Sequence, residues 1–191
     1  REFLSDRRVI EVPRFIWWLV LNLFILPFRP RKSAALYKSV WLEEGSPLIV
    51  YSKRFLKKII KLNESLEHIE FELAMRYGNP SIENALLNLK KKNCRKILLL
   101  PLFPQYSAVN AATIFDKVSK ILSKWRWVPS LHFVNGYHDD LGYIHALSKS
   151  IENHKYYGTQ DMIVFSYHGI PKKYFDKGDP YHCYCHKTTR L

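Results

Sequence analysis

The sequence predicts an α/β fold with a doubly wound, parallel sheet. From about residue 48 onward, short β-prone runs alternate with stretches of 3.6-residue apolar periodicity, the pattern of repeated βα units. One run, Ile97 to Phe103, is continuously apolar and ends at Pro104, as a strand buried on both faces would be. The composition can fill such a core: 47% of the 191 residues are hydrophobic and 15% aromatic, enough for one domain or a little more.

Taken in order, the first distinctive segment is Phe15 to Phe28, FIWWLVLNLFILPF, bounded by Pro13 and Pro27. It is shorter than the about 20 residues that cross a bilayer. Arg7, Arg8 and Arg14 flank it on one side and Arg29, Arg31 and Lys32 on the other, while Trp17-Trp18 suits the interfacial zone. A helix lying on a membrane surface and a helix buried in the core fit this pattern equally. Leu48-Ile49-Val50-Tyr51 reads as a strand, followed by a helix with Phe55, Leu56, Ile59 and Ile60 on one face. His68 to Met75 alternates, with Ile69, Phe71, Leu73 and Met75 pointing one way, which predicts a half-buried strand. Asn79-Pro80 opens a helix running to about Lys92, with Asn as cap and Pro at the first helical position.

After the 97–103 strand, Ile114, Phe115, Val118, Ile121, Leu122 and Trp125 form a helical stripe. Leu131 to Val134 is a further strand. Asp139 or Asp140 caps a helix with Leu141, Ile144, Leu147 and Ile151 inward, and Met162 to Tyr167 is the last strand. The chain starts at Arg1 and stops at Leu191 within a helical pattern, so it reads as an internal piece of a longer protein.

The net charge of +13 suits a solvated lysine-rich surface or attraction to anions; no nucleic-acid-binding motif stands at the required spacings, so nucleic acid is not an expected partner. Cys94, Cys183 and Cys185 are too few and too unevenly spaced for a disulfide framework, which points to a reducing, cytoplasmic compartment.

In open α/β sheets, ligands bind outside the carboxyl ends of strands. Two such ends carry unusual chemistry, Pro104-Gln105-Tyr106-Ser107 and His168-Gly169-Ile170-Pro171. A histidine held at such a turn is a general base, a metal ligand or a structural residue at a strand end. Downstream, His182-Cys183-Tyr184-Cys185-His186 offers two thiols and two imidazoles, but not at the usual zinc spacing. Gly178-Asp179-Pro180 reads mainly as a turn leading into a helix.

Five segments, in order along the chain, then carry a resemblance: FLSDRRV, VWLEEGSPL, AMRYGNPSIENAL, LLLPLFPQYS, and SYHGIPKKYFDKGDPYHCYC followed by KTTRL. Together they resemble the ferrochelatases, the proteobacterial branch most closely. The resemblance implies two Rossmann-like halves around a porphyrin cleft and insertion of ferrous iron into protoporphyrin IX, with Fe2+ as substrate and no cofactor required for the chemistry. It also implies that this chain lacks the first strand and most of the C-terminal half, including a glutamate paired with the motif histidine across the cleft. An iron–sulfur cluster in the missing part is left open.

Carried over by position, His168 is the catalytic, iron-associated histidine. Arg29, Tyr37 and Ser46 contact porphyrin, Arg76 and Tyr77 line the cleft, and the Pro104–Ser107 turn, Tyr106 included, faces the ligand. Cationic Arg29 and Arg76 suit propionate carboxylates. Many relatives have a Ser-Thr pair where this chain has Val109-Asn110, so the turn is expected to serve shape more than hydrogen bonding. By role, residues 1–47 would be a membrane-facing lip through which substrate passes, 48–160 the N-terminal α/β domain, and 161–191 the histidine strand and the start of the C-terminal half. The expected setting is the cytoplasm, peripherally at the anionic inner membrane face. Other readings are a chelatase for coproporphyrin or for cobalt in a corrin precursor, and a non-catalytic tetrapyrrole-binding protein.

Overall fold

The computed structural model describes residues 1–66, 68–155, 157–158 and 162–191, the side chain of Lys32 apart. Lys32, counted above among the basic flank, and the boundary expected between residues 160 and 161 lie outside these described features. The chain packs as two compact units, Arg1–Arg95 and Lys96–Leu191, a division by packing and not by role.

The first unit is helical. After α1 (Glu2–Ser5), helix α2 (Arg14–Leu19) passes through a π-helical turn, Val20–Ile25, into α3 (Leu26–Lys38). Pro27 therefore does not end the apolar segment as expected. A proline lacks the donor for the i→i−4 ladder, and here it follows a π-turn in which that ladder is already offset. Trp17 Nε1 donates to the Leu4 carbonyl at 2.7 Å and Arg14 donates to the Ser5 carbonyl at 3.0 Å, fixing α2 against the start of the chain. Only Leu21 of the apolar run is buried, and Phe15 is 76% exposed, with Trp18, Phe24 and Phe28 also outward. Of the two readings of this segment, burial in the core does not describe this chain. Among the described residues no helix is long and apolar enough to cross a membrane.

Leu48 to Tyr51 is not a strand but the first turn of α4 (Pro47–Leu62). Ser46-Pro47 sets a helix start, and the shielded positions 49, 52, 56, 59 and 63 recur at three- and four-residue steps, a helical period that overrides four β-prone residues. The 68–75 strand is likewise absent as a ladder: the only pairing there is an isolated bridge from Met75 to Ser81. An alternating pattern makes a strand only where a neighbour supplies hydrogen bonds. Helix α5 (Ile82–Lys91) is capped by Ser81, whose side chain accepts from the Asn84 amide at 3.1 Å, and not by Asn79.

The second unit holds the sheet. Strands β1 (Lys96–Leu99) and β2 (Ser130–Phe133) pair in parallel, with Ile97 opposite Leu131 and Leu99 opposite Phe133. Between them run a π-helical turn, Ala108–Ala112, and α6 (Thr113–Leu122), a βα crossover of the expected kind. Val118, Ile121 and Leu122 of α6 are buried with Ile97, Ala111 and Ala112, each large apolar side chain contributing about 1.5–3 kcal/mol. Leu98, in contrast, is 64% exposed: burial alternates along β1, so one face of the strand is covered here, not the two that its apolar run predicts.

Helix α7 (Leu141–Glu152) is capped by Asp140, whose side chain accepts from the Tyr143 amide at 2.9 Å. Leu141, expected inward, is 81% exposed because the first residue after the cap turns off the half-buried Ile144, Leu147 and Ile151 stripe. Met162 to Tyr167 forms no ladder among the described residues, and most of it is exposed. Short α8 (Lys172–Asp176) and α9 (Tyr181–Arg190) complete the unit. The architecture is thus α/β with one parallel strand pair.

Candidate active site

Site residues from the sequence fall into both units. In the first, Arg76 and Tyr77 meet at Asp6: Arg76 forms an ion pair with the Asp6 carboxylate, Tyr77 donates to the same oxygen at 2.9 Å, and Asp6 also accepts the Arg8 amide at 2.9 Å. The Arg76 guanidinium lies 4.5 Å from the Tyr77 ring centre, and Phe3 meets that ring edge-on at 5.4 Å. FLSDRRV and MRYGNP, 70 residues apart, are therefore one construction, with a partly buried carboxylate at its centre. The charge of Arg76 is already engaged there. Arg29 and Tyr37 stand exposed on α3. Ser46 is half-buried at the start of α4, where its hydroxyl makes no capping bond although its carbonyl accepts the Val50 amide at 2.9 Å.

In the second unit, the two turns singled out from the sequence are linked through α9. Gly178 has φ +92°, a conformation that favours glycine, and it delivers Asp179 into the interior, 8% exposed. One Asp179 oxygen accepts from the Ser107 hydroxyl at 2.7 Å and the Ala108 amide at 2.8 Å; the other accepts from the Tyr181 amide at 3.1 Å. The carboxylate thus caps the π-turn after the Pro104–Ser107 loop and, at the same time, the first turn of α9.

A second connection runs from Gln105, which donates to the Thr188 hydroxyl at 3.0 Å; that hydroxyl in turn donates to the His138 carbonyl at 2.7 Å. Asn110 closes the loop from within. Its carbonyl oxygen accepts the Ser107 amide at 2.8 Å and its amide donates to the Gln105 carbonyl at 3.1 Å. At the Val109-Asn110 departure, Asn110 holds the backbone of the turn by hydrogen bonds within the chain. Gly136 packs so closely beneath that a Cβ there would lie 3.1 Å from the Pro104 carbonyl. Tyr106 is half-buried between two buried anchors, Gln105 and Ser107.

His168 is exposed on its turn. The Tyr181 phenol is pushed up to about 12, first by burial and then by Cys185, with the His168 backbone pulling the other way. Burial also pushes the Cys185 thiol up. Both groups behind His168 are therefore neutral through the physiological range. Tyr167, one residue earlier, shares a 3.0 Å hydrogen bond with the Thr189 hydroxyl. Thr189 of α9 thus ties down the residue before His168, while His168 itself is exposed.

Asp179, Tyr181, Thr188, Thr189 and Asn110 were not singled out as functional by the sequence. The usable signal was an Asp-Pro pair opening a helix, where a carboxylate commonly caps.

Close to this bracket, His138 is buried and stacks on Tyr184, with ring centres 3.6 Å apart and planes 8° from parallel. Burial pushes its imidazole below the ordinary value, the Asp139 charge pulls it up, and Lys187 pushes it down. Among the described residues no three His, Cys, Asp or Glu side chains converge as a metal site. Cys185 faces inward to Tyr181 and Cys183 is exposed, so the two thiols do not act together.

This arrangement can hold a solvent-facing imidazole at a fixed place beside a rigid, tyrosine-bearing turn. Comparison with known proteins agrees on what such a chain is. The family model described as Ferrochelatase matches residues 1–191. The ferrochelatase of Thioalkalivibrio sulfidiphilus is 50% identical over 193 residues, covering all of this chain and 52% of the relative. That of Pseudoalteromonas atlantica is 45% identical and 54% covered, and Ferrochelatase 2 of Shewanella oneidensis is 47% identical and 59% covered. The chain spans about half the length of the curated relatives it matches. With the match unbroken from Arg1 to Leu191, the chain belongs to the ferrochelatase family.

Proposed function

We propose that this chain is the N-terminal, substrate-facing part of a protein that inserts Fe2+ into protoporphyrin IX to form protohaem, with His168 at the reacting nitrogens. The observation that supports this reading is the exposed His168 imidazole, next to Tyr167, whose hydroxyl is tied to Thr189 of α9 at 3.0 Å. Metallation removes two pyrrole protons and adds Fe2+, with no change in oxidation state. The two protons pass in turn to the His168 imidazole and on to water, the task of a general base.

In the same reading, exposed Arg29 pairs with a propionate, and Tyr37 and Ser46 line the approach. Tyr106 lies against the macrocycle. Arg76 and Tyr77 shape the cleft wall from their seat on Asp6. The body, residues 48–160, belongs to a doubly wound, Rossmann-like half-domain, and 161–191 begins the second half. Residues 1–47 form the lip. Exposed Phe15, Trp18, Phe24 and Phe28 beside Arg14 and Arg29 support contact with an anionic membrane surface from the cytoplasmic side. The same apolar lip favours a dicarboxylate porphyrin over the more charged coproporphyrin.

The test is anaerobic incubation of the full-length protein with Fe2+ and each porphyrin, following loss of porphyrin fluorescence. Faster metallation of protoporphyrin IX is expected. Preference for coproporphyrin would reassign the substrate, and tight porphyrin binding without metallation would make the protein a carrier.

A further inference from the structure

On the outer side of α9, away from Cys185 and Thr188, which anchor the helix, two exposed imidazoles stand one turn apart: His182 and His186. Their ring centres are 4.5 Å apart with planes at 69°. Phe175 of α8 meets the His182 ring edge-on at 5.5 Å and supports it from behind. The pair borders a shallow cleft of about 570 Å³ whose walls include Cys183, Asp139 and Lys187.

We propose that His182 and His186 form a docking pair for a divalent first-row transition ion, distinct from His168 and independent of the function proposed above. Histidines at i and i+4 lie on one face of a helix, which is the spacing used to chelate such ions. Two imidazoles bound cis to one ion, with metal–nitrogen bonds of about 2.0–2.1 Å, bring their ring centres roughly 4.5–5 Å apart. The observed separation already has that value. The remaining adjustment is rotation about the terminal histidine torsion, a broad and soft coordinate.

Imidazole donors select Fe2+, Co2+, Ni2+, Cu2+ or Zn2+ over Mg2+ or Ca2+, which prefer oxygen. Among the described residues no third His, Cys, Asp or Glu completes a set, so water fills the other positions and the ion exchanges readily. Such a site holds an ion in transit and not a resident one. Lys187, a cation on the same cleft wall, is ion-paired with Asp139, which reduces its repulsion of an incoming ion. Arg190 remains on the cleft wall and makes the rival ligand an anion.

The test uses Co2+ as probe with the full-length protein carrying His168→Ala, so that binding at the proposed active site does not contribute. Co2+ is titrated by calorimetry and by visible absorption, and the histidine ring signals are followed by NMR. The expected result is one Co2+ site that shifts the His182 and His186 ring signals first. Adding His182→Ala or His186→Ala weakens it by at least about tenfold, since loss even of an outer-shell partner costs 10–100-fold. Both positions are exposed, and unchanged circular dichroism would exclude misfolding as the cause. Unchanged Co2+ affinity in either variant would overturn the pair, as would ring signals that respond to inorganic phosphate and not to Co2+.

Discussion

Replacing Asp179 tests whether one buried carboxylate joins the two functional turns. In Asp179→Ala the Ala108 and Tyr181 amides lose their acceptor, while the Ser107 hydroxyl can rotate to another partner. Two fixed N–H groups left unsatisfied at part-buried positions cost about 1–3 kcal/mol each, or about 4 kcal/mol together. That is a large share of the roughly 5–15 kcal/mol available to a domain. In Asp179→Asn one oxygen survives. Placed where it now serves Ser107 and Ala108, it leaves only the Tyr181 amide unmet, so the cost is about half as large.

Because 1 kcal/mol shifts Tm by about 2–4 °C for a chain of this size, thermal denaturation should show Asp179→Ala falling by about 8–16 °C and Asp179→Asn by about half that. Ser107→Ala should then add little in the Asp179→Ala background, because the two share one bond. A Tm unchanged in Asp179→Ala would refute the bracket. Equal losses in the Ala and Asn variants would refute the bond-by-bond reasoning.

Other expectations follow from the same geometry. Tyr181→Phe keeps the ring and removes the hydroxyl beside the His168 backbone, so turnover of the full-length protein should fall with little change in Tm; unchanged turnover would remove Tyr181 from positioning. Phe15→Ser with Trp18→Ser should reduce sedimentation with vesicles containing anionic lipid while leaving the fold intact, and unchanged sedimentation would remove the lip from membrane contact. His138, held below its ordinary value of 6.5 by burial, binds fewer protons folded than unfolded. Its contribution to stability is full above about pH 6.5 and is lost as pH falls from there. Urea midpoints measured down to about pH 5 should therefore decline less steeply for His138→Phe than for the parent chain.

Where the sequence was legible, one local signal agreed with the tertiary contacts. The β1–α6–β2 crossover could be read because its apolar run, helical stripe and second strand all reinforce one another, and Asp140 announced α7 by its position. Leu48 to Tyr51 misled because four β-prone residues were weighed without Ser46-Pro47 and the longer helical period. The segments 69–75 and 162–167 misled differently: a strand needs a partner, and no composition reveals whether one is adjacent.

For the site, His168 and the Pro104–Ser107 turn were visible as chemistry at apolar-run ends. What holds them was not. Asp179 looked like part of a turn because its three donors come from residues 107, 108 and 181, a convergence that only folding creates. Asp6 with Arg76 and Tyr77 was hidden for the same reason. The five residues from His182 to His186 needed the helix itself to sort them: Cys185 inward, the two histidines outward.

The central claim is that the His168 imidazole takes a proton from the porphyrin nitrogens, and steady-state metallation by the full-length His168→Ala protein tests it most directly. Loss of a general base should lower kcat by about 10²–10⁴-fold with porphyrin KM little changed, and added imidazole should restore part of the rate. Near-parental kcat in that variant, with porphyrin still bound in the cleft, would contradict the account.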